Sequence, residues 1–240
     1  MPSYPLPAWR RWPAALLVAL SLGAALAHGL GIALTGGPSH LLVKGGAMGA
    51  LALATLLAAR RPAHLVVALA LAFAAVGDML ITLPGRRAFL HALGAFGATH
   101  VLLTLLFIQN RAPLTRMSVR AQGLAGAVVA GAMLASVVLW PVLDGLRLPV
   151  LAYLAVLAIM AITALWSRFP QPLAGFGALA FLLSDAALAA DRFLALPAPV
   201  QGVIPLFIWP LYVGGLYAIA LAVWLDDGGR RAFDSAPGGQ

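Results

Sequence analysis

The stretch "RRPAHLVVALALAFAAVGDMLITLPGRR", Arg60 to Arg87, decides the fold. Its middle, from Ala63 to Leu83, is apolar almost throughout, and an arginine pair stands at each end. A run of about 20 apolar residues is what an α-helix needs to cross the hydrocarbon core of a bilayer. The run lacks the alternation of apolar and polar residues that marks a half-buried strand. In lipid the backbone must satisfy its own N–H and C=O groups, so helices are the form that fits.

The pattern recurs along the chain. Apolar runs from Ala14 to Leu34, His40 to Ala59, Phe89 to Gln109, Val119 to Trp140, Leu148 to Ser167, Leu173 to Phe193 and Val200 to Leu225 complete a set of eight. Of the 240 residues 62% are apolar and only 9% charged, against about a quarter charged in a soluble domain. The expectation is an all-α integral membrane protein with about eight transmembrane helices in one bundle. Residues 1–13 would form a cytoplasmic N-terminal segment, 14–225 the membrane domain, and 226–240, "DDGGRRAFDSAPGGQ", a disordered cytoplasmic tail. The N-terminal run has the look of a signal peptide, but further apolar spans follow at once, so it reads as the first permanent helix.

Charge sets the expected orientation. Arg10, Arg11, Arg60, Arg61, Arg111, Arg116, Arg120, Arg168, Arg230 and Arg231 fall on one side, and Arg86, Arg87, Arg147 and Arg192 on the other. The excess predicts both termini in the cytoplasm of a cell inner membrane or plasma membrane. The net charge of +8 is mostly loop arginine, a topology signal and a contact with the lipid bilayer rather than a nucleic-acid surface. Cysteine is absent, which excludes disulfides, thiolate nucleophiles and cysteine-based metal sites. Small residues four apart, at Gly45/Gly49, Gly123/Ala127/Gly131 and Gly214/Ala218, predict close helix packing.

The ionisable groups inside the spans need a reason, because each costs roughly 2.5–3.5 kcal/mol at a helix centre. They are Lys44 in the second span, Asp78 in the third and Asp185 in the seventh, with His28 and His100 as further polar groups at depth. Given the orientation, Lys44, Asp78 and Asp185 lie roughly 6, 8 and 12 Å from the outer ends of their helices. Three charges in the same half of the membrane predict one polar cavity opening outward. Asp185 and Arg192 are seven apart and share a helix face, as do Phe96 and His100, four apart. Asp191 lies near the interface and reads as a solvated end residue.

Two carboxylates in a low-dielectric pocket suppress each other's ionisation, so one can stay protonated while the other is charged. That pair is a general acid and a general base. A proton-coupled transporter or permease uses the same ingredients, and it predicts inverted repeats or broken helices. Plain structural readings stand beside both: Lys44 and Asp78 as an ion pair between helices, Asp185 as a hydrogen-bonded carboxylate, His28 as a group satisfied by a neighbouring helix. A membrane scaffold without catalysis would leave the charged cluster unexplained. No His or carboxylate spacing suits a metal, and no cofactor is expected. Ser184 and Asp185 are adjacent, so their side chains point about 100° apart and do not form a nucleophile with its base.

"AFAAVGDMLITL" and "GALAFLLSDAALAADRF" resemble the two signature helices of the YhhN family, the membrane lysoplasmalogenases. The resemblance rests on Gly77 and Asp78, then on Gly177, Ala178, Phe181, Ser184, Asp185, Leu188, Ala189, Arg192 and Phe193. "AFGATH" is similar to a further family helix through Phe96 and His100, Lys44 to a lysine early in the second span, and Tyr153 and Met160 to the sixth span. Gly45 stands where the family often has proline, Leu103 where it has tyrosine, and Gly214 and Gly215 where a glutamine is common. The resemblance implies hydrolysis of the vinyl ether bond of a 1-alkenyl lysophospholipid, releasing a fatty aldehyde and glycerophosphoethanolamine or glycerophosphocholine. It implies Asp78 and Asp185 as the catalytic pair, and substrate-binding roles for Lys44, His100, Arg192, Ser184, Phe181 and Tyr212.

Overall fold

A computed structural model of the chain describes residues 7–31, 38–113, 117–170 and 172–234. The described residues form helices α1 (Ala8–Gly29), α2 (Pro38–Leu57), α3 (Pro62–Ile81), α4 (Arg86–Gln109), α5 (Val119–Leu139), α6 (Arg147–Leu165), α7 (Leu173–Phe193), α8 (Ala198–Val203) and α9 (Pro205–Asp234). Among the described residues, eight spans are long and apolar enough to cross a membrane, the last of them formed by α8 and the following part of α9. The chain is therefore a multi-pass, all-α membrane protein.

The helix ends follow local chemistry rather than hydropathy alone. α1 starts six residues before the expected Ala14, because Trp9, Arg10, Arg11 and Trp12 wind into the helix although they suit the interface rather than the core. It stops at Gly29, short of the expected Leu34, and Gly31 follows in the left-handed region at φ 65°. Glycine reaches that conformation at little cost, and it ends a helix there. Gly85, at φ 98°, turns the chain from α3 into α4 in the same way. Pro205 separates α8 from α9 because it has no N–H to continue the ladder, yet Ile204 N–H still donates to the Val200 carbonyl at 3.0 Å. α9 continues to Asp234, past the expected end at Leu225; of the tail expected to be disordered, residues 235–240 lie outside the described residues. So do residues 1–6 of the expected N-terminal segment, residues 32–34 of the first apolar run, and Arg116.

Packing groups the chain into two compact units, Met1–Leu103 and Thr104–Gln240. In the first, α2 packs against both α1 and α3. The Ser21 hydroxyl donates to the Ala47 carbonyl at 2.5 Å, joining α1 to α2, and the Thr99 hydroxyl donates to the Ala70 carbonyl at 3.0 Å, joining α4 to α3. Lipid tails are as apolar as leucine, so such bonds and close backbone contacts hold helices together where hydrophobic burial cannot.

In the second unit α7 packs along α9 and against α6, and α5 packs against α6. The loops after α4 and after α6 are joined by an antiparallel bridge between Arg111 and Ser167. Two backbone bonds make it, Ala112 N–H to the Trp166 carbonyl at 2.9 Å and Arg168 N–H to the Asn110 carbonyl at 2.7 Å. The Phe107 and Phe169 rings meet edge to face at 6.0 Å close by.

Candidate functional site

Each unit gathers its own polar cluster inside the spans. In the first unit the cluster forms because glycines let helices approach. A Cβ on Gly45 would lie 2.6 Å from two Met79 side-chain atoms and 3.0 Å from the Ala75 carbonyl oxygen. The missing side chain thus seats α2 directly on α3. Lys44 precedes Gly45 on α2, and Asp78 precedes Met79 on α3, so the close approach brings both charged positions to one crossing. Lys44 is half-buried and lies within the field of the Asp78 carboxylate, which is itself buried.

Gly77 makes room on another side of α3. A Cβ there would come within 2.8–2.9 Å of the Phe96 ring, so the ring fills the space that glycine leaves. Phe96 is therefore level with Gly77, and His100, fully buried, follows one turn further along α4. Its Cα–Cβ bond tilts back toward the start of α4 and so toward the level of Asp78. The His28 and His40 rings lie 5.0 Å apart where α1 ends and α2 begins, and His28 feels the charge of Lys44.

In the second unit α7 uses two faces. Gly177 and Gly215 form the crossing with α9: a Cβ on Gly177 would sit 2.6 Å from the Gly215 carbonyl oxygen, and one on Gly215 would sit 2.7 Å from the Gly177 carbonyl oxygen. One turn on, Phe181 is fully buried and meets Tyr212 edge to face at 5.3 Å. Next along that face, the Ser184 hydroxyl donates to the Ile208 carbonyl at 2.8 Å. Phe181, Ser184 and Tyr212 are thus engaged in helix packing. Asp185 points elsewhere, about 100° round the helix, and accepts a hydrogen bond from the Tyr153 hydroxyl of α6 at 2.5 Å. That bond fixes the rotamer of the Asp185 side chain. Arg192 and Asp191 are both exposed in the last turn of α7. A cation there suits the negative end of the helix dipole.

Among the described residues no group of three His or Asp side chains is placed to hold a metal ion. The model of the YhhN family matches residues 39–223, more than three quarters of the chain. The chain belongs to the YhhN family. Neither the curated proteins nor the solved structures gave a match. The YhhN match takes in both intramembrane carboxylates, with Lys44 and Tyr212, and leaves α1 outside it.

Two features of this YhhN chain escape sequence reasoning. Tyr153 stands out in the sequence only through a resemblance, not as the partner of Asp185; a phenol in a largely apolar span is the available signal. The packing glycine of α9 is Gly215, not the expected Gly214. Gly214 is exposed, and a Cβ on it would meet nothing within 4 Å among the described residues. The same holds for Gly123 and Gly131, so the glycines of the stripe on α5 pack against no described neighbour.

Proposed function

We propose that this protein is a lysoplasmalogenase-like hydrolase acting on the vinyl ether bond of 1-alkenyl lysophospholipids. The observation that carries the reading is membership of the YhhN family across residues 39–223, together with a carboxylate on each of the two signature helices. The chemistry suits carboxylic acids. A vinyl ether reacts by protonation of its β-carbon, which leaves an oxocarbenium ion. Water adds to that ion, loses a proton to a base, and the hemiacetal collapses to a fatty aldehyde and a glycerophospho-alcohol.

Asp78 and Asp185 are proposed as the acid/base pair, with either one as the acid, and the ionised member also stabilises the cation. Lys44 and Arg192 are proposed to hold the substrate phosphate, and His100 to orient water or its neighbouring carboxylate. Tyr153 would fix the Asp185 rotamer. Phe181, Ser184 and Tyr212 would contribute as the packed wall behind Asp185. The reaction needs no metal or cofactor in this reading. The proposed setting is the inner or plasma membrane, with a membrane domain over residues 14–225 and both termini in the cytoplasm.

The test is mass spectrometry of purified protein incubated with alkenyl-, alkyl- and acyl-lysophospholipids. The reading expects free aldehyde from the alkenyl lipid alone. Aldehyde from none of them, with proton-driven solute uptake into liposomes, would overturn it in favour of a transporter.

A further inference from the structure

A cavity of about 670 Å³ lies in the second unit, where α5 and α7 begin and α6 ends. That volume is within the range of small-molecule sites. Its walls are graded. Ser118, Arg120 and Ser167 line it near the helix ends, and Leu124, Phe176 and Leu179 line it deeper. Leu124 lies six positions after Ser118 and Leu179 seven after Pro172, so the cavity reaches about 9–11 Å along the helices from its polar end. Leu124 and Phe176 are both exposed, so the cavity is open on its apolar side.

The charge at the mouth has one sign. Arg111 and Arg168, both exposed, flank Ala112 and Ser167, which line the cavity, and the backbone bridge holds these two loops together. The sequence has no acid between Gln109 and Leu143 and none between Gly145 and Ser184. The segments that build the cavity therefore bring guanidinium groups and no carboxylate.

We propose that this cavity binds an anionic phospholipid from the leaflet it faces. Its phosphate sits against Arg120, and one acyl chain runs between Leu124, Phe176 and Leu179. The order of the walls, cationic at the helix ends and apolar within, matches the order of an amphiphile standing in a leaflet. The net negative head group complements the arginines. The proposal uses none of the residues assigned to hydrolysis and does not depend on that reading.

Native mass spectrometry of the detergent-purified full chain, with phosphatidylglycerol or phosphatidylcholine added at equal concentration, tests it. Retention of one phosphatidylglycerol is expected, with phosphatidylcholine held about tenfold less well. Arg120→Gln and the cavity-filling Ala121→Trp should each weaken phosphatidylglycerol retention about tenfold. Arg87→Gln, at an exposed arginine in the first turn of α4, should leave it unchanged. Equal retention of the two lipids, full retention by Arg120→Gln, or equal loss in Arg87→Gln would overturn the proposal. So would displacement of the lipid by soluble glycerol phosphate at the same concentration, which would mark a site for a free anion.

Discussion

Replacing Gly177 with alanine tests the packing that carries Asp185. The new Cβ would stand 2.6 Å from the Gly215 carbonyl oxygen, where ordinary contact begins at 3.4 Å, a shortfall of about 0.8 Å. The obstacle is backbone, so no side chain can swing aside, and α7 and α9 must separate. A gap of that order forfeits about a quarter to a half of the dispersion energy of each contact it opens. It would also stretch the 2.8 Å bond from Ser184 to Ile208 past useful range. Overpacking costs about 1–3 kcal/mol, and a rigid obstacle puts this site at the upper end. The better helix propensity of alanine offsets about 1 kcal/mol of that. A net loss of about 2 kcal/mol should lower the thermal midpoint of the detergent-purified protein by roughly 4–8 °C. Gly123→Ala, where a Cβ meets nothing within 4 Å, should leave the midpoint unchanged or raise it. Equal midpoints for the two variants would refute the close crossing of α7 and α9.

Gly77→Ala should cost less than Gly177→Ala, at most about 1 kcal/mol, because the Phe96 ring can move where a carbonyl cannot. In a double-mutant cycle read by thermal midpoint, Gly77→Ala should cost nothing further once Phe96→Leu has cleared the space. Tyr153→Phe removes the hydroxyl that holds Asp185, a hydrogen bond worth about 0.5–1.5 kcal/mol. Under the hydrolase reading it should cut aldehyde release about tenfold or more while the protein still purifies as a folded species.

Hydropathy makes the spans legible. α7 begins and ends at the expected Leu173 and Phe193, and α4 ends at the expected Gln109. Length and apolarity suffice for that, because lipid penalises any unsatisfied backbone. Facing is not legible. Gly214 and Gly215 are equally small, and the four-residue rule suits either, but only Gly215 meets α7. Which side of a lipid-immersed helix meets a neighbour depends on the partner surface, and hydropathy does not encode that when all sides are apolar. Tyr153 escapes for the same reason: its spacing within α6 says nothing about Asp185 on α7. The helix end at Gly29 is hidden because the residues after it remain apolar, and only the left-handed Gly31 marks the stop.

The central claim is that the two intramembrane carboxylates hydrolyse a vinyl ether. It is tested most directly by aldehyde release from an alkenyl lysophospholipid, measured for the unmodified protein and for Asp78→Asn and Asp185→Asn. The account predicts release by the unmodified protein and none above background from either variant, with both still inserted in the membrane. Release from either variant at the unmodified rate would contradict it.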